Sequence, residues 1–354
     1  MQEHDDHERL SEELRSAFER KSPINIVGGN SKSFYGRERV GSPLDVTTHT
    51  GIISYEPSEL VITARCGTPL IEIENALAEQ NQILPFEPPH FNQSATIGGT
   101  ITCAFSGPRR PYAGAVRDNM LGLHLINGKG EYLKFGGEVM KNVAGYDVSR
   151  LNCGAQGTLG IITQASIKVL PAPKKEITLV FETPENQAIR TMTEWMAKPW
   201  PISATFYDGH KLYVRLSGVG TAIDSLHKTI GGDLVDPSAM LWNDLREHSL
   251  DFFHSEEPLW RVSLPVAAPV LSFATATIME WNGALRWLHS EENPEHIYKE
   301  VASLGGHATQ FRNGTSDQEL FQPLTPGLQK LHKRIKQAFD PENILNPGRV
   351  YSWC

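Results

Sequence analysis

Gly154 to Gln164 reads "GAQGTLGIITQ". Its glycines fall at intervals of three, and β-branched residues follow them. A dinucleotide-binding βαβ turn needs GxGxxG at the start of a helix, whose N-terminus meets the pyrophosphate. Here the spacing is GxxGxxG. The continuation "IITQASIKV" is poor helix material, because β-branched side chains lose rotamer freedom there. The stretch predicts a half-buried strand after Leu159. Ile161, Ala165, Ile167 and Val169 share one face, and Gln164, Ser166 and Lys168 the other. Gly154, Gly157 and Gly160 are read as serving a tight turn and a close backbone approach.

Two further stretches are of this kind: "GGNSKS", Gly28 to Ser33, and "SATIGGT", Ser94 to Thr100. Small residues there let main-chain N–H groups point outward, and hydroxyls stand nearby. Successive amides in such bends form an anion-binding concavity. A diphosphate bridge carries two negative charges, and each charge-assisted hydrogen bond to it contributes about 1.5–3 kcal/mol. Several such bonds hold a dinucleotide without a lysine clamp or a helix dipole. Each stretch alone reads as an ordinary turn. Together they bracket a Gly/Pro-rich loop from Pro88 to about Met120, and loops that long are uncommon unless functional.

The chain has 354 residues, enough for two domains. Apolar residues make up 40% and charged residues 21%, the balance of a soluble globular protein. The net charge is −8 and no basic stripe occurs, which argues against a nucleic-acid partner. The N-terminal "MQEHDDHERLSEELRSAFER" lacks the apolar core of a secretory signal. No apolar run approaches the ~20 residues that span a bilayer. A cytoplasmic location is expected, with any inner-membrane attachment coming through partners. Cys66, Cys103, Cys153 and Cys354 lie far apart without a CxxC pair. Reduced thiols are expected, and no iron–sulfur or zinc site. The opening "HDDH" sits on a charged terminus and is not read as a metal site.

Residues 8–21 pattern as a surface helix with Leu10, Leu14, Ala17 and Phe18 on one face. In "GTPLIEIENALAEQNQILP", Thr68 is the expected N-cap, Pro69 suits the first turn, and Leu70, Ile73 and Leu77 form the buried stripe. "LGLHLINGKGEYLKF" reads as two strands about an Asn127-Gly128 turn. Pro171 and Pro173 mark a domain boundary. Beyond it, strand-like and helical segments alternate as in an α+β domain. The last helix carries Leu328, Leu331, Ile335 and Phe339 on one face, before a proline-punctuated tail.

"IVGGNSKS", "ATIGGTI…SGPRRPYAGAVRDNMLG" and "KNVAGYDVSRLNCGAQGTLGIIT" closely resemble the FAD-binding domain of PCMH-type (vanillyl-alcohol-oxidase) flavoproteins. The tail "FDPENILNPGRVY" resembles the C-terminal signature of their glycolate/D-lactate branch. The similarity spans residues 24–171 and 325–352. It implies an α+β fold. A two-subdomain PCMH-type FAD-binding domain, 1–173, precedes an α+β ferredoxin-like cap domain, 174–320. A C-terminal helix and tail, 321–354, return to the FAD domain.

The resemblance also implies cofactor contacts. Gly28, Gly29, Asn30, Ser31, Lys32 and Ser33 match the turn that wraps the FAD pyrophosphate. Ala95, Thr96, Ile97, Gly98, Gly99 and Thr100 match the second contact, with Pro88 ahead of them. Ser106, Gly107, Pro108 and Arg109, continuing to Arg110, match a segment near the ribityl chain and ring. Gly154, Gly157, Thr158, Gly160, Ile161 and Ile162 match the ring and adenine side. Relatives with covalent flavin carry a histidine in the first turn. Here that turn reads Asn30-Ser31-Lys32, so non-covalent FAD is expected.

One departure concerns the second domain. Relatives that oxidise 2-hydroxy acids carry a "GHxGDGNxH"-like stretch serving a metal and substrate site. The nearest piece here is "LGGHATQFR", Leu304 to Arg312, with one histidine. Three functions stay open. The first is an FAD-binding subunit of a glycolate oxidase (glycolate dehydrogenase) complex, which turns glycolate into glyoxylate. It would pass electrons to a homologous catalytic FAD subunit and an iron–sulfur subunit. The second is a self-sufficient FAD-dependent 2-hydroxy-acid (glycolate/D-lactate) dehydrogenase. Arg109, Arg110 and Lys141 are then candidate carboxylate-holding cations, and Tyr146 and His90 weaker ring neighbours. The third is a structural subunit without catalysis. No catalytic base is assigned, and no metal is expected.

Overall fold

A computed structural model describes residues 3–137, 146–274, 276–314 and 319–354. The chain divides into two compact units. One comprises Met1–Ser106, Ala115–Ala172 and Leu324–Cys354, and the other Gly107–Gly114 and Pro173–Pro323.

In the first unit a five-stranded antiparallel sheet runs Ile52–Glu56, Val61–Arg65, Ile161–Lys168, Met120–Ile126, Tyr132–Gly136. The central strand is Ile161–Lys168, the strand expected after the glycines, and it is hydrogen-bonded along both edges. Its burial corrects the half-buried expectation. Ile161, Ile162, Thr163, Ala165, Ser166 and Ile167 are all buried. Core lies on both sides of it: Ile162, Ala165 and Ile167 cluster with Leu70, Ile73 and Leu77, and Ile161 with Leu10, Leu14 and Leu345. Each such side chain contributes about 1.5–3 kcal/mol by leaving water.

Local signals hold with small displacements. The first helix is His7–Arg20, with Leu10, Leu14 and Ala17 buried. The next is Leu70–Glu79, but Thr68 does not cap it. Its hydroxyl donates to the Arg65 carbonyl (2.7 Å) and accepts from the Gly51 amide (2.9 Å), tying two strands instead. The hairpin Met120–Ile126/Tyr132–Gly136 turns through Asn127, whose Oδ1 accepts from the Lys129 and Glu131 amides.

The stretch 88–120 is not one loop. It contains the short helices Ile97–Cys103 and Arg110–Ala113 and a 3-10 turn, Val116–Asn119. The second glycine stretch is therefore a helix start. Thr96 Oγ1 accepts from the Gly99 amide as its cap. Gly-rich, β-branched "IGGTITC" has low helix propensity, so tertiary packing carries this helix.

The C-terminal helix Pro326–Phe339 also departs from its expected face. Leu328 and Leu331 are about half exposed (48% and 50%), and the buried residue is Lys336. Lys336 Nζ donates to the carbonyls of Thr158 and Leu345 (both 2.8 Å) and pairs with Asp340 at 2.7 Å. This network sets the rotation of the helix.

The second unit holds an eight-stranded antiparallel sheet. Lys175–Glu182, Glu185–Met196, Ile202–Tyr207, Lys211–Gly218, Gly220–Ile230 and Asp233–Leu234 follow one another as β-α-β-β-α-β. Their sheet order is fourth, first, third, second, which is the ferredoxin-like arrangement. Four further strands, ending with His307–Arg312, extend the sheet.

Gly107–Gly114, expected inside the first domain, groups with the second unit. Trp281 Nε1 donates to the Gly107 carbonyl (3.0 Å), Tyr112 Oη donates to Asn282 Oδ1 (2.7 Å), and Arg109 pairs with Glu176 (2.9 Å).

Candidate functional site

Three separated bends and the tail close into a ring around one cavity of the first unit. The first bend follows the Ile24–Val27 strand, where Asn30 takes left-handed backbone (φ 61°). It meets the second through Ser94, whose hydroxyl donates to the Gly29 carbonyl. The second meets the third through the amides of Gly154 and Gln156, which donate to the carbonyls of Ile101 (3.1 Å) and Thr102 (2.9 Å). The third meets the tail where Asn346 Nδ2 donates to the Gln156 carbonyl (2.7 Å). The tail returns to the first bend through Arg349, which donates to the carbonyls of Ser33, Tyr35 and Arg37.

Of the residues singled out in the sequence, Gly28, Gly29, Asn30, Ser31, Lys32, Ser33, Thr96, Gly98, Gly99, Gly157, Gly160, Ile161 and Ile162 line this cavity. The others do not. Ala95, Ile97 and Thr100 are buried in packing behind the second bend. Pro88 is likewise buried. Ser106 accepts through its hydroxyl from the Val116 amide. Gly154 and Thr158 line a separate, mainly apolar pocket beside the C-terminal helix. Gly107, Pro108 and Arg109 belong to the second unit. Lys141 lies outside the described residues. His90 Nε2 stands 2.9 Å from Glu74 Oε2, and Tyr146 is 93% exposed.

The cavity also contains residues that no motif announced, among them Arg39, Cys66, Cys103, Gln156, Asn346 and Arg349. Asn346 and Arg349 sit in "NPGR", which was quoted for its resemblance only. Nothing local in the sequence says that this tail reaches the first bend.

The electrostatics are one-sided. Lys32, Arg39 and Arg349 line the cavity, and among the described residues no aspartate or glutamate does. Three cations thus accompany the amides, where none was needed in the sequence reading. The amides of Gly28, Gly29, Asn30 and Ser31 donate to no protein acceptor among the described residues. Burial raises the Cys66 and Cys103 thiols above their ordinary range, so both stay protonated and poorly nucleophilic. Free amides plus cations without carboxylates suit a dianionic bridge such as a diphosphate.

The glycines act through protein packing. A Cβ on Gly98 would come 2.7 Å from the Cys66 carbonyl oxygen, not into the cavity. Left-handed non-glycine residues, Asn30, Ala104, Gln156 and Asn346, gather at the ring, as strained backbone does at binding sites. In the second unit, Arg110 lies over the Trp281 ring at 4.3 Å, and Arg261 stands 5.2 Å from the same ring.

Comparison with known proteins agrees with this chemistry. The family model described as an FAD binding domain matches residues 3–136, and that of the C-terminal domain of FAD linked oxidases matches 315–350. The chain is 44% identical over 352 residues to glycolate oxidase subunit GlcE of Escherichia coli (strain K12), covering 99% of each. Glycolate oxidase subunit GlcD of Bacillus subtilis (strain 168) is 32% identical over 165 residues, 46% of this chain and 35% of that one. A solved alkyldihydroxyacetonephosphate synthase shares the fold at 16% identity, with a TM-score of 0.66 over 96% of this chain and 75% of that one. The chain therefore belongs to the FAD-linked oxidase family, with an FAD-binding domain at its N-terminal end and the C-terminal signature of that family closing the ring.

Proposed function

We propose that this chain is the FAD-carrying subunit of a glycolate-oxidising complex. The observation that carries the reading is the cavity, with its unpartnered amides and three cations on the path of three glycine bends. Whole-length similarity to a glycolate oxidase subunit supplies the substrate class. FAD is bound without a covalent link, because the first bend offers no histidine and the two cavity thiols are held protonated. Bound FAD supplies a two-electron acceptor for hydride from the substrate carbon. The chain's own residues bind and orient it: Gly28 to Ser33 and Gly98–Gly99 at the diphosphate, and Gly157, Gly160, Ile161 and Ile162 alongside.

The chain has four dispersed cysteines and no cluster motif, so electrons leave through partner subunits. A homologous flavoprotein and an iron–sulfur subunit are the partners proposed. Arg109, which pairs with Glu176, Arg110, which lies over Trp281, and Lys141 are the candidates proposed for a substrate carboxylate.

The test is direct. Purified chain is expected to absorb as a flavoprotein and to release its FAD on denaturation. Turnover of glycolate or D-lactate with an artificial acceptor is expected to be weak for the chain alone and to rise when partner subunits are added. Robust turnover by the isolated chain would overturn the subunit reading. A folded, colourless protein that takes up no FAD would overturn the cofactor assignment.

A further inference from the structure

We infer that Arg349, supplied by the C-terminal tail and by none of the three glycine bends, is the buried positive charge that the FAD diphosphate neutralises, and that it also holds the first bend in its binding shape. The inference rests on the reading of the cavity as the FAD site.

Arg349 is 6% exposed and lines the cavity beside Arg39. Its guanidinium donates to three carbonyls, those of Ser33 (3.0 Å), Tyr35 and Arg37. The Arg37 amide in turn donates to the Arg349 carbonyl at 2.9 Å. Gly36 makes room for it, with φ 92° and no Cβ to meet the Arg349 Nε. One side chain thus pins three carbonyls within Ser33–Arg37, the end of the cavity-lining bend and the residues that follow it.

The three carbonyls take three of the five guanidinium donors and leave its charge. Among the described residues no carboxylate pairs with Arg349. Burial pushes its guanidinium down to about 10, and Arg39 pushes the same way. A buried charge without a countercharge is costly. The missing countercharge must then enter with the ligand, and a diphosphate brings two. Arg39 alone does not explain this, because it is half-buried and its guanidinium already donates to Asn30 Oδ1 at 2.6 Å.

The experiment measures affinity for FAD by flavin fluorescence quenching and for ADP, the diphosphate-bearing half, by calorimetry. Both are done on apo protein at two ionic strengths. Arg349→Gln removes charge and fork together. Arg349→Lys keeps the charge and loses the three-carbonyl fork. The expected result for Arg349→Gln is a roughly 10- to 100-fold loss for both FAD and ADP, the size of one charge-assisted contact. Its affinity also depends less on salt than wild type. Arg349→Lys loses less and keeps the wild-type salt slope.

Equal losses in the two variants with unchanged salt slopes would overturn the electrostatic role and leave a purely structural one. Unimpaired FAD and ADP binding by Arg349→Gln would overturn the whole inference. If Arg349→Gln fails to fold, Arg349→Lys decides: a flattened salt slope in that variant refutes the inference, and a retained slope with weakened binding sustains it. A wild-type protein that binds neither FAD nor ADP would instead overturn the cofactor reading beneath it.

Discussion

Gly29 lies against Ser94 so closely that a methyl group on its α-carbon would overlap the Ser94 carbonyl oxygen, while the Ser94 hydroxyl donates to the Gly29 carbonyl. The first two bends are therefore a single packed piece. A ligand that spans them meets a preformed surface, which lowers the ordering cost of binding.

Gly29→Ala should force the two bends apart. Overpacking of this kind costs about 1–3 kcal/mol. The expected outcome is a lower melting temperature and at least a ~10-fold weaker FAD affinity. Gly327→Ala is the control: a Cβ there meets nothing within 4 Å, and the helix gains about 0.5–1 kcal/mol at most. Equal FAD affinity in both variants would refute the shared packing of the bends.

Asp340 is fully buried and accepts from Lys336 Nζ, the Ile344 amide (3.0 Å) and the Leu345 amide (2.8 Å). Lys336 carries the connection onward to the Thr158 carbonyl. Lys336→Met leaves a buried carboxylate unmatched, and breaking such a pair costs about 3–5 kcal/mol. Urea unfolding should report a loss of that size. A loss below about 1 kcal/mol, the worth of a surface pair, would show that the pair is not buried in solution.

His248 stacks on Phe253 at 3.9 Å and is 8% exposed. Burial holds its pKa well below the ordinary 6.5, and Arg312 and Arg261 lower it further. The unfolded chain therefore binds the proton first as pH falls. Stability from this group is full above about pH 6.5 and declines below it, by at most ~1.4 kcal/mol per pH unit. His248→Phe keeps the stack and removes the proton. Urea midpoints at pH 7.5 and 5.5 should differ less in the variant than in wild type. An identical difference would show that His248 titrates normally in the folded state.

Tyr112 is one hydrogen-bonded anchor of Gly107–Gly114 within the second unit, donating to Asn282 Oδ1 at 2.7 Å. Burial raises its hydroxyl to about 12, so it donates at every physiological pH. Tyr112→Phe should cost about 1 kcal/mol in denaturant unfolding and leave FAD content unchanged. A matching loss of bound FAD would mean that this segment serves the cofactor, as its sequence resemblance first implied.

Local pattern was enough for much of this protein. Glycine spacing followed by β-branched residues excluded a βαβ nucleotide turn and placed the Ile161–Lys168 strand. Heptad-like spacing placed the helices His7–Arg20 and Leu70–Glu79. Both signals are carried by residues within a few positions of one another, where backbone sterics and side-chain periodicity act. The small residues of the first bend and Gly98–Gly99 stood out for the same reason, although the latter begin a helix rather than the turn their pattern suggested.

Tertiary structure decided the rest. "IGGTITC" became a helix against its propensity because its neighbours hold it, and Leu328 and Leu331 face outward because Lys336 needed Asp340 and two carbonyls inside. Above all, Arg349 reaches the carbonyls of Ser33, Tyr35 and Arg37 from more than three hundred residues away in sequence. No short-range pattern encodes such a contact. A charge and its partner meet only after the chain has closed on itself, and only burial then makes the lack of a countercharge matter.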